Sequence, residues 1–395
     1  MKYNYAILGA GQQGTAAAYD MALFGEASQI LLLDINLSQA EKSAQKVNHL
    51  TGKDLVHPLQ VDVTSFEELT RALSGCDAVL SAVPYYFNPT VTKAAIQVKA
   101  NLCDLGGNTQ IVFKQHELHD QAQKAGVSIV PDCGLAPGMG NTLAVYAMEK
   151  LDLCSEIKIR CGGLPQNPKP PFYYKLVFSM EGLINEYSGK ATILRNGKIM
   201  EIPAFSEVET LEFPTPVGKC EAFVTTGGTS TCPWSFEGKL QSYDYKTVRY
   251  PGHYEKMKLF FDLGFFDPEP IEIKAALHER KIETVKVSPR DFFCRMAAPA
   301  MSFPEDPDLV VLRVTAKGEK NRRPAEIQLD ILDFQDPKTG FSAMERTTGF
   351  PASIVAIMLA KGGIEKGVIS LEKGVPGGLF VKELSKRGIH LTETT

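Results

Sequence analysis

Short apolar runs alternate with amphipathic stretches through the first third of the chain. Tyr5 to Leu8, Gln29 to Leu33, Val56 to Val63, Ala78 to Val83 and Ser128 to Val130 have the length and continuity of strands buried on both faces. Helices are predicted between them. Ser38 to Glu41 and Ser65 to Glu68 show the Ser-x-x-Glu spacing in which hydroxyl and carboxylate reciprocally satisfy free backbone N–H groups. This alternation predicts a doubly wound parallel sheet. Past Pro131 the pattern changes. After one helical stretch from Gly138 to Lys150 the chain becomes rich in Gly, Pro, Thr and aromatics, with β-type alternation in Glu156 to Cys161 and Val310 to Ala316. Thr348-Gly349-Phe350-Pro351 then introduces a helix, Ala352 to Leu359, too hydrophobic all round for a free tail and expected to pack back on the first sheet. The predicted fold class is α/β: a doubly wound sheet from residues 1–131 and 346–395, interrupted by an inserted α+β domain on a mixed sheet, residues 132–345.

A chain of 395 residues with 44% hydrophobic content can bury two ordinary cores, which fits this division. Lys and Arg total 42 against 46 Asp and Glu, so the balance of -4 supplies no cationic surface for nucleic acid or anionic lipid. A small-molecule partner is expected. The eight cysteines are scattered without a CxxC pair, as expected of free thiols in a reducing cytosol. No spacing marks a metal site or a Ser-His-Asp triad. Met1 to Asn4 leads directly into a strand-like run, and no stretch approaches the ~18 apolar residues of a membrane span. A soluble, cytoplasmic protein is the expectation.

Gly9-Ala10-Gly11-Gln12-Gln13-Gly14 has GxGxxG spacing, with glycines for a tight turn, for close pyrophosphate approach and for helix–strand packing. The motif follows a strand and opens the Ala-rich stretch Gln12 to Phe24, whose N-terminal dipole and free N–H groups suit a pyrophosphate. Asp34 ends the next strand, where a carboxylate accepts from adenosine ribose hydroxyls and repels the extra phosphate of NADP. NAD is therefore the expected cofactor. Asp62 reads equally as a contact to the adenine edge or as a helix-capping acid. Ala82, Val83 and Pro84 follow the fourth strand at the carboxyl edge of the sheet, where ligands collect.

In the second half, Lys175 and Glu181 lie close in sequence, and Lys175 is either part of a solvated face or a proton carrier whose pKa burial lowers. His253 is the other group with an ordinary pKa near neutrality, although a lone His is more often structural. Arg249, beside the rigid Pro251-Gly252 turn, is a two-pronged clamp for a carboxylate or one half of an ion pair. Cys161-Gly162-Gly163 marks a tight buried turn.

Gly9 to Gly14, Val83-Pro84-Tyr85, Cys161-Gly162-Gly163-Leu164-Pro165, Lys175 and Thr247-Val248-Arg249-Tyr250-Pro251-Gly252 together resemble the saccharopine dehydrogenase superfamily, over nearly the whole chain. Asp104-Leu105-Gly106-Gly107, Gly134-Leu135-Ala136-Pro137-Gly138, Tyr174 to Ser179 with Glu181 to Ile184, and Arg346-Thr347-Thr348-Gly349-Phe350-Pro351 are similar to its L-lysine 6-dehydrogenase branch. The resemblance implies a Rossmann domain completed by the C-terminus, a central substrate and dimerisation domain, a homodimer or higher homo-oligomer, and NAD-dependent oxidation of an amine on an amino acid. It makes Arg249 a substrate-carboxylate ligand, with Tyr85, Cys161 and Gly163 lining the same pocket. Lys175, His253, Asp104 and Glu181 stand as candidates for the base, Lys175 first. Saccharopine reductases carry an acidic residue where this chain has Ala136, which favours lysine over saccharopine. An enzyme of the same superfamily acting on saccharopine or a carboxylated polyamine, a cyclodeaminase and a non-catalytic NAD-binding regulator are the alternatives.

Overall fold

The computed structural model describes residues 2–276 and 282–395. Six strands follow in chain order through the first part: β1 (Tyr3–Leu8), β2 (Ala27–Asp34), β3 (Val56–Gln60), β4 (Ala78–Ser81), β5 (Asn101–Asp104) and β6 (Ser128–Val130). They form a parallel sheet in the order β3-β2-β1-β4-β5-β6, and Gly367–Val368 adds a seventh strand beside β6. Strand order reverses between β1 and β4, the point where doubly wound sheets bind ligands. Both faces are covered. Tyr5 and Ile7 enter one core with Ile30, Leu32 and Leu80, while Ala6 and Leu8 enter another with Leu33, Val79 and Leu102. This is the alternation of a strand buried on both sides.

The strand expected over Val56 to Val63 stops at Gln60, where the chain turns, and the one expected over Ala78 to Val83 stops at Ser81. Pro58 is accommodated because β3 is an edge strand. The Ser38 capping box does not form: the second helix, Leu37–Thr51, starts two residues earlier on Asn36, whose side chain accepts from the Gln39 N–H. At Ser65 the hydroxyl does accept from the Glu68 N–H, but the Glu68 carboxylate turns to the Asp62 N–H instead.

The second domain is a mixed sheet of nine strands. Leu153–Pro165 lies at its centre, parallel to Ser242–Arg249 and antiparallel to Asp308–Lys320. Two features depart from the expected boundaries. The apolar helix runs from Ala343 to Ala360, with Pro351 inside it, and begins at the reciprocal box Ser342/Glu345. The last strand, Leu391–Thr394, returns to the second sheet and pairs with Arg323–Phe334, so the first domain does not retain the whole of 346–395.

The Ala343–Ala360 helix joins the domains. Its N-terminal N–H groups at Ala343 and Met344 are taken by the Asp308 carboxylate of the second sheet, at 2.7 and 3.0 Å. One turn on, Arg346 makes a two-pronged contact with Asp333. Its middle then packs on α1 (Gln12–Phe24), where a Cβ on Gly349 would lie 2.9 Å from the Gln13 carbonyl oxygen and from the Ala16 Cβ. Only a residue without a side chain permits that approach.

A buried ion pair closes the first domain. Arg387 bonds both carboxylate oxygens of Asp20 on α1 at 2.7 and 2.9 Å, with about 1% of either side chain exposed. Burial pushes Asp20 up to about 6 even against the pull of Arg387. Arg387→Met strands that carboxylate and is expected to lower the free energy of unfolding by about 3–5 kcal/mol. Asp20→Asn in the same chain is expected to restore part of the loss. Urea unfolding at neutral pH measures both; equal midpoints for Arg387→Met and the wild-type chain would remove the pair from the stability argument.

Candidate active site

The glycine loop is built as a dinucleotide cradle. Gly9 has φ +96, and a Cβ there would lie 2.7 Å from the Ala82 carbonyl oxygen, so the β1 turn passes directly against the end of β4. A Cβ on Gly14 would lie 1.9 Å from the Gly9 oxygen. A Cβ on Gly11, by contrast, would meet nothing within 4 Å. Two glycines are thus required by the fold, and the third faces open space at the N-terminus of α1, where no side chain caps the free N–H groups. Gln12 is exposed beside it. The Gln13 Oε1 is buried without a hydrogen-bond partner, and Gln13 is one of the residues lining the interdomain cleft. An unspent acceptor and an open cradle fit a dinucleotide at this position.

Asp34 accepts from the Ala10 N–H at 2.8 Å with one oxygen and from the Asn36 N–H at 2.9 Å with the other. It therefore shapes the loop, and its remaining lone pairs stand at the carboxyl edge of β2. Asp62 accepts from both the N–H and the hydroxyl of Thr64, a local turn ahead of the following helix, so it neither caps that helix, whose cap is Ser65, nor is shown at an adenine edge. Val83 and Pro84 lead from β4 into a short turn at Tyr85–Phe87. The Tyr85 ring lies over Gly107, but Tyr85, expected in the substrate pocket, is not among the residues lining the cleft.

The cleft encloses about 330 Å3 between the domains. Gln13, Leu105 to Gly107, Gly134 to Pro137 and Thr348 supply one wall; Cys161 to Gly163, Tyr245, Thr247 and Arg249 supply the other. Tyr174, Phe178 and Glu186 close it from the segment between the central strands. Among the described residues Arg249 is the one cation lining this space and Glu186 the one carboxylate.

Arg249 is about 2% exposed and held from behind. Its Nε donates to the Tyr187 hydroxyl at 2.8 Å and its Nη1 to the Val248 carbonyl at 2.8 Å, while the guanidinium lies 4.6 Å from the Tyr174 ring centre. Its Nη2 stands 3.8 Å from Glu186 Oε2. The Tyr187 hydroxyl in turn lies 2.9 Å from His253 Nε2, and His253 Nδ1 lies 2.9 Å from the Phe172 carbonyl. A carbonyl only accepts, so Nδ1 carries the proton and Nε2 accepts from Tyr187. Burial and the nearby Arg249 charge push His253 down to about 3. Glu186 is pushed by burial up to about 7, against the pull of Arg249. It keeps 36% of its side chain accessible, on the cleft side.

The four base candidates are not brought together. Lys175 donates to the Asp306 carbonyl and is not among the groups lining the cleft. Glu181 is exposed at a separate groove with Asp291 and Arg295. His253 is fully buried behind Tyr187 and acts on Arg249 through it. Asp104 is fully buried beneath the cleft floor, accepting from the N–H groups of Gly106 and Asp132 and from the Gln115 amide. Arg249, Cys161 and Gly163 do line one space, and burial pushes the Cys161 thiol up to about 12, so it offers no thiolate. Glu186 was not anticipated: Asn185-Glu186-Tyr187 reads as the polar end of a short helix, and its only signal is the two-residue offset from the apolar Leu183-Ile184 pair.

A glycine cradle on a doubly wound sheet, opening into a cleft with one buried guanidinium, defines the class of NAD(P)-dependent dehydrogenases. Residues 5–130 match the saccharopine dehydrogenase NADP binding domain and residues 134–389 the saccharopine dehydrogenase C-terminal domain. The chain belongs to the saccharopine dehydrogenase family. It is 24% identical over 422 residues to the L-glutamate-forming saccharopine dehydrogenase of Pyricularia oryzae, covering 90% of this chain and 91% of that protein. It is 20% identical over 395 residues to carboxynorspermidine synthase of Vibrio cholerae, covering 93% and 91%. The apo L-glutamate-forming saccharopine dehydrogenase of Saccharomyces cerevisiae superposes with a TM-score of 0.79 at 21% identity, covering 99% of both chains, which confirms the α/β two-domain architecture.

The two kinds of glycine separate experimentally. Gly11→Ala is expected to leave the melting temperature within about 1 °C while weakening dinucleotide binding at least ~10-fold, because its methyl intrudes only on the cradle. Gly14→Ala is expected to lower the melting temperature. Thermal unfolding with and without NADH checks both, and equal dinucleotide affinity for Gly11→Ala and the wild-type chain would move the pyrophosphate away from this loop.

Proposed function

We propose that the protein oxidises the terminal amine of an amino acid carrying one carboxylate, with L-lysine as substrate and NAD as acceptor, giving 2-aminoadipate 6-semialdehyde, ammonia and NADH. The observation that carries this reading is the charge of the cleft: one guanidinium and one carboxylate, in about 330 Å3. Saccharopine bears three carboxylates, and a second and third anion would find no further cation on these walls. Ala136 leaves the adjoining wall apolar.

The bound nicotinamide supplies the hydride acceptor. The residues of this chain hold the substrate carboxylate at Arg249 and fix the direction of that guanidinium through Tyr187 and His253. They also wall the reacting carbon with the apolar Leu135, Ala136 and Met344 side chains. Water then hydrolyses the imine to aldehyde and ammonia. The position of Asp34 supports NAD over NADP, since its charge opposes a ribose phosphate.

A second reading has a specific observation in its favour. The relatives include proteins named as saccharopine dehydrogenase and carboxynorspermidine synthase, and saccharopine is itself a secondary amine. On that reading the chain works on an amine bearing a larger substituent.

Absorbance of NADH decides between them. A rise on mixing protein, NAD and L-lysine, with saccharopine giving less than about a tenth of the rate, is the expected result; the reverse order establishes the second reading. Asp34→Ala is expected to narrow the preference for NAD over NADP by about 10-fold or more. An unchanged ratio of kcat/KM for the two dinucleotides would remove Asp34 from cofactor selection.

A further inference from the structure

The mutual position of Glu186 and Arg249 suggests a more specific subsite. The two groups enter from different elements, Glu186 from the end of the Met180–Glu186 helix and Arg249 from the end of the Ser242–Arg249 strand. Their nearest charged atoms are 3.8 Å apart, and both line the same space. The ammonium and carboxylate of an α-amino acid sit on one carbon, so they are spaced for such neighbouring partners of opposite charge. The distal amine of lysine lies four methylenes further along. A carboxylate beside the carboxylate clamp therefore faces the α-ammonium rather than the amine that reacts.

The electrostatics agree. Arg249 is a fixed cation, an α-ammonium bound beside Glu186 favours its carboxylate in the charged form, and a zwitterionic head group then binds the pair without burying a net charge. A simple carboxylic acid would neutralise Arg249 and leave Glu186 without its counter-charge. Arg249 is also committed on its far side to Tyr187 and Val248, which leaves Nη2 as the atom nearest Glu186 and the cleft.

We propose that Glu186 and Arg249 form a paired head-group subsite that recognises α-amino acids as zwitterions, Arg249 taking the carboxylate and Glu186 the α-ammonium. Glu186 is then a specificity residue, distinct from whatever group receives the proton of the reacting amine. The inference rests on the reading of the cleft as an amino-acid site, but not on lysine being the substrate.

The test uses two ligands that cannot be oxidised at a terminal amine, L-norleucine and hexanoate, which differ only by the α-ammonium. Calorimetric titration of the full chain in the presence of NADH is expected to show L-norleucine binding roughly 10- to 100-fold more tightly, the range of one charge-assisted hydrogen bond. Glu186→Gln, at an unchanged melting temperature, is expected to bring the two affinities within about 3-fold, mainly by weakening L-norleucine. Equal affinities in the wild-type chain, binding of neither ligand, or an undiminished preference in Glu186→Gln would overturn the subsite. A chain that discriminates these ligands through Glu186 yet forms no NADH from L-lysine would instead keep the subsite and reject lysine oxidation. As a second readout, Glu186→Gln is expected to raise KM for L-lysine ~10-fold or more with kcat within about 3-fold, whereas a base would lose kcat.

Discussion

The architecture depends on one helix packing against another at the closest distance side chains allow. Gly349 lets the Ala343–Ala360 helix press on the first turns of α1, and the Asp308 carboxylate and the Arg346–Asp333 pair fasten the same helix to the second sheet. The core that begins under β1 therefore continues without a break to Ile157, Ile159, Leu312 and Val314 of the second domain. The loop that cradles a dinucleotide and the strand that presents Arg249 are positioned by a single rigid element, which also contributes Thr348 and Met344 to the cleft. Apolar packing sets the geometry, and the ionic groups at the helix start set its register.

Within the cleft, the direction of the guanidinium is fixed by a chain of groups that do not titrate in the neutral range. Arg249 donates to Tyr187, Tyr187 to His253, and His253 to a backbone carbonyl. Each donor has one acceptor, so the chain has one polarity and each side chain one orientation. The cost of burying a cation is offset by two aromatic rings, two hydrogen bonds and Glu186, and an incoming carboxylate finds the clamp already formed.

Much of this was legible from residue order. The strand, glycine loop and helix at Tyr5 to Phe24 are a local arrangement with strict spacing, and local arrangements survive without knowledge of the rest of the fold. The same holds for Arg249, where the Pro-Gly turn after a strand marks a guanidinium worth fixing in place. β5 was missed because Asn101–Asp104 is only four residues long, polar at both ends and apolar in the middle alone; Gly367–Val368 is shorter still. The Ala343–Ala360 helix was started too late because Gly349 and, two residues on, Pro351 read as a stop, whereas both are carried inside the helix. Lys175 drew attention through its neighbours in sequence, but which side chains share a cleft is decided by long-range pairing. Lys175 turns to Asp306, and the carboxylate that meets Arg249 comes from Glu186, 63 positions earlier (249 − 186).

The path of the chain through the two sheets has a consequence for how the protein is made. The first sheet has its six strands once residue 130 has been synthesised, but the strand beside β6 and the helix covering one face are encoded after residue 342. At ribosomal speeds of about 5–20 residues per second, that face and that edge wait on the order of 10 to 50 s for their partners. During the interval Leu80 and Cys103 lack the late helix that packs over β4 and β5. The last strand then returns to the other sheet, so neither domain is complete until nearly the whole chain has emerged. Each sheet takes a strand from the final part of the chain, so the completion of either one waits on residues encoded far beyond the rest of it.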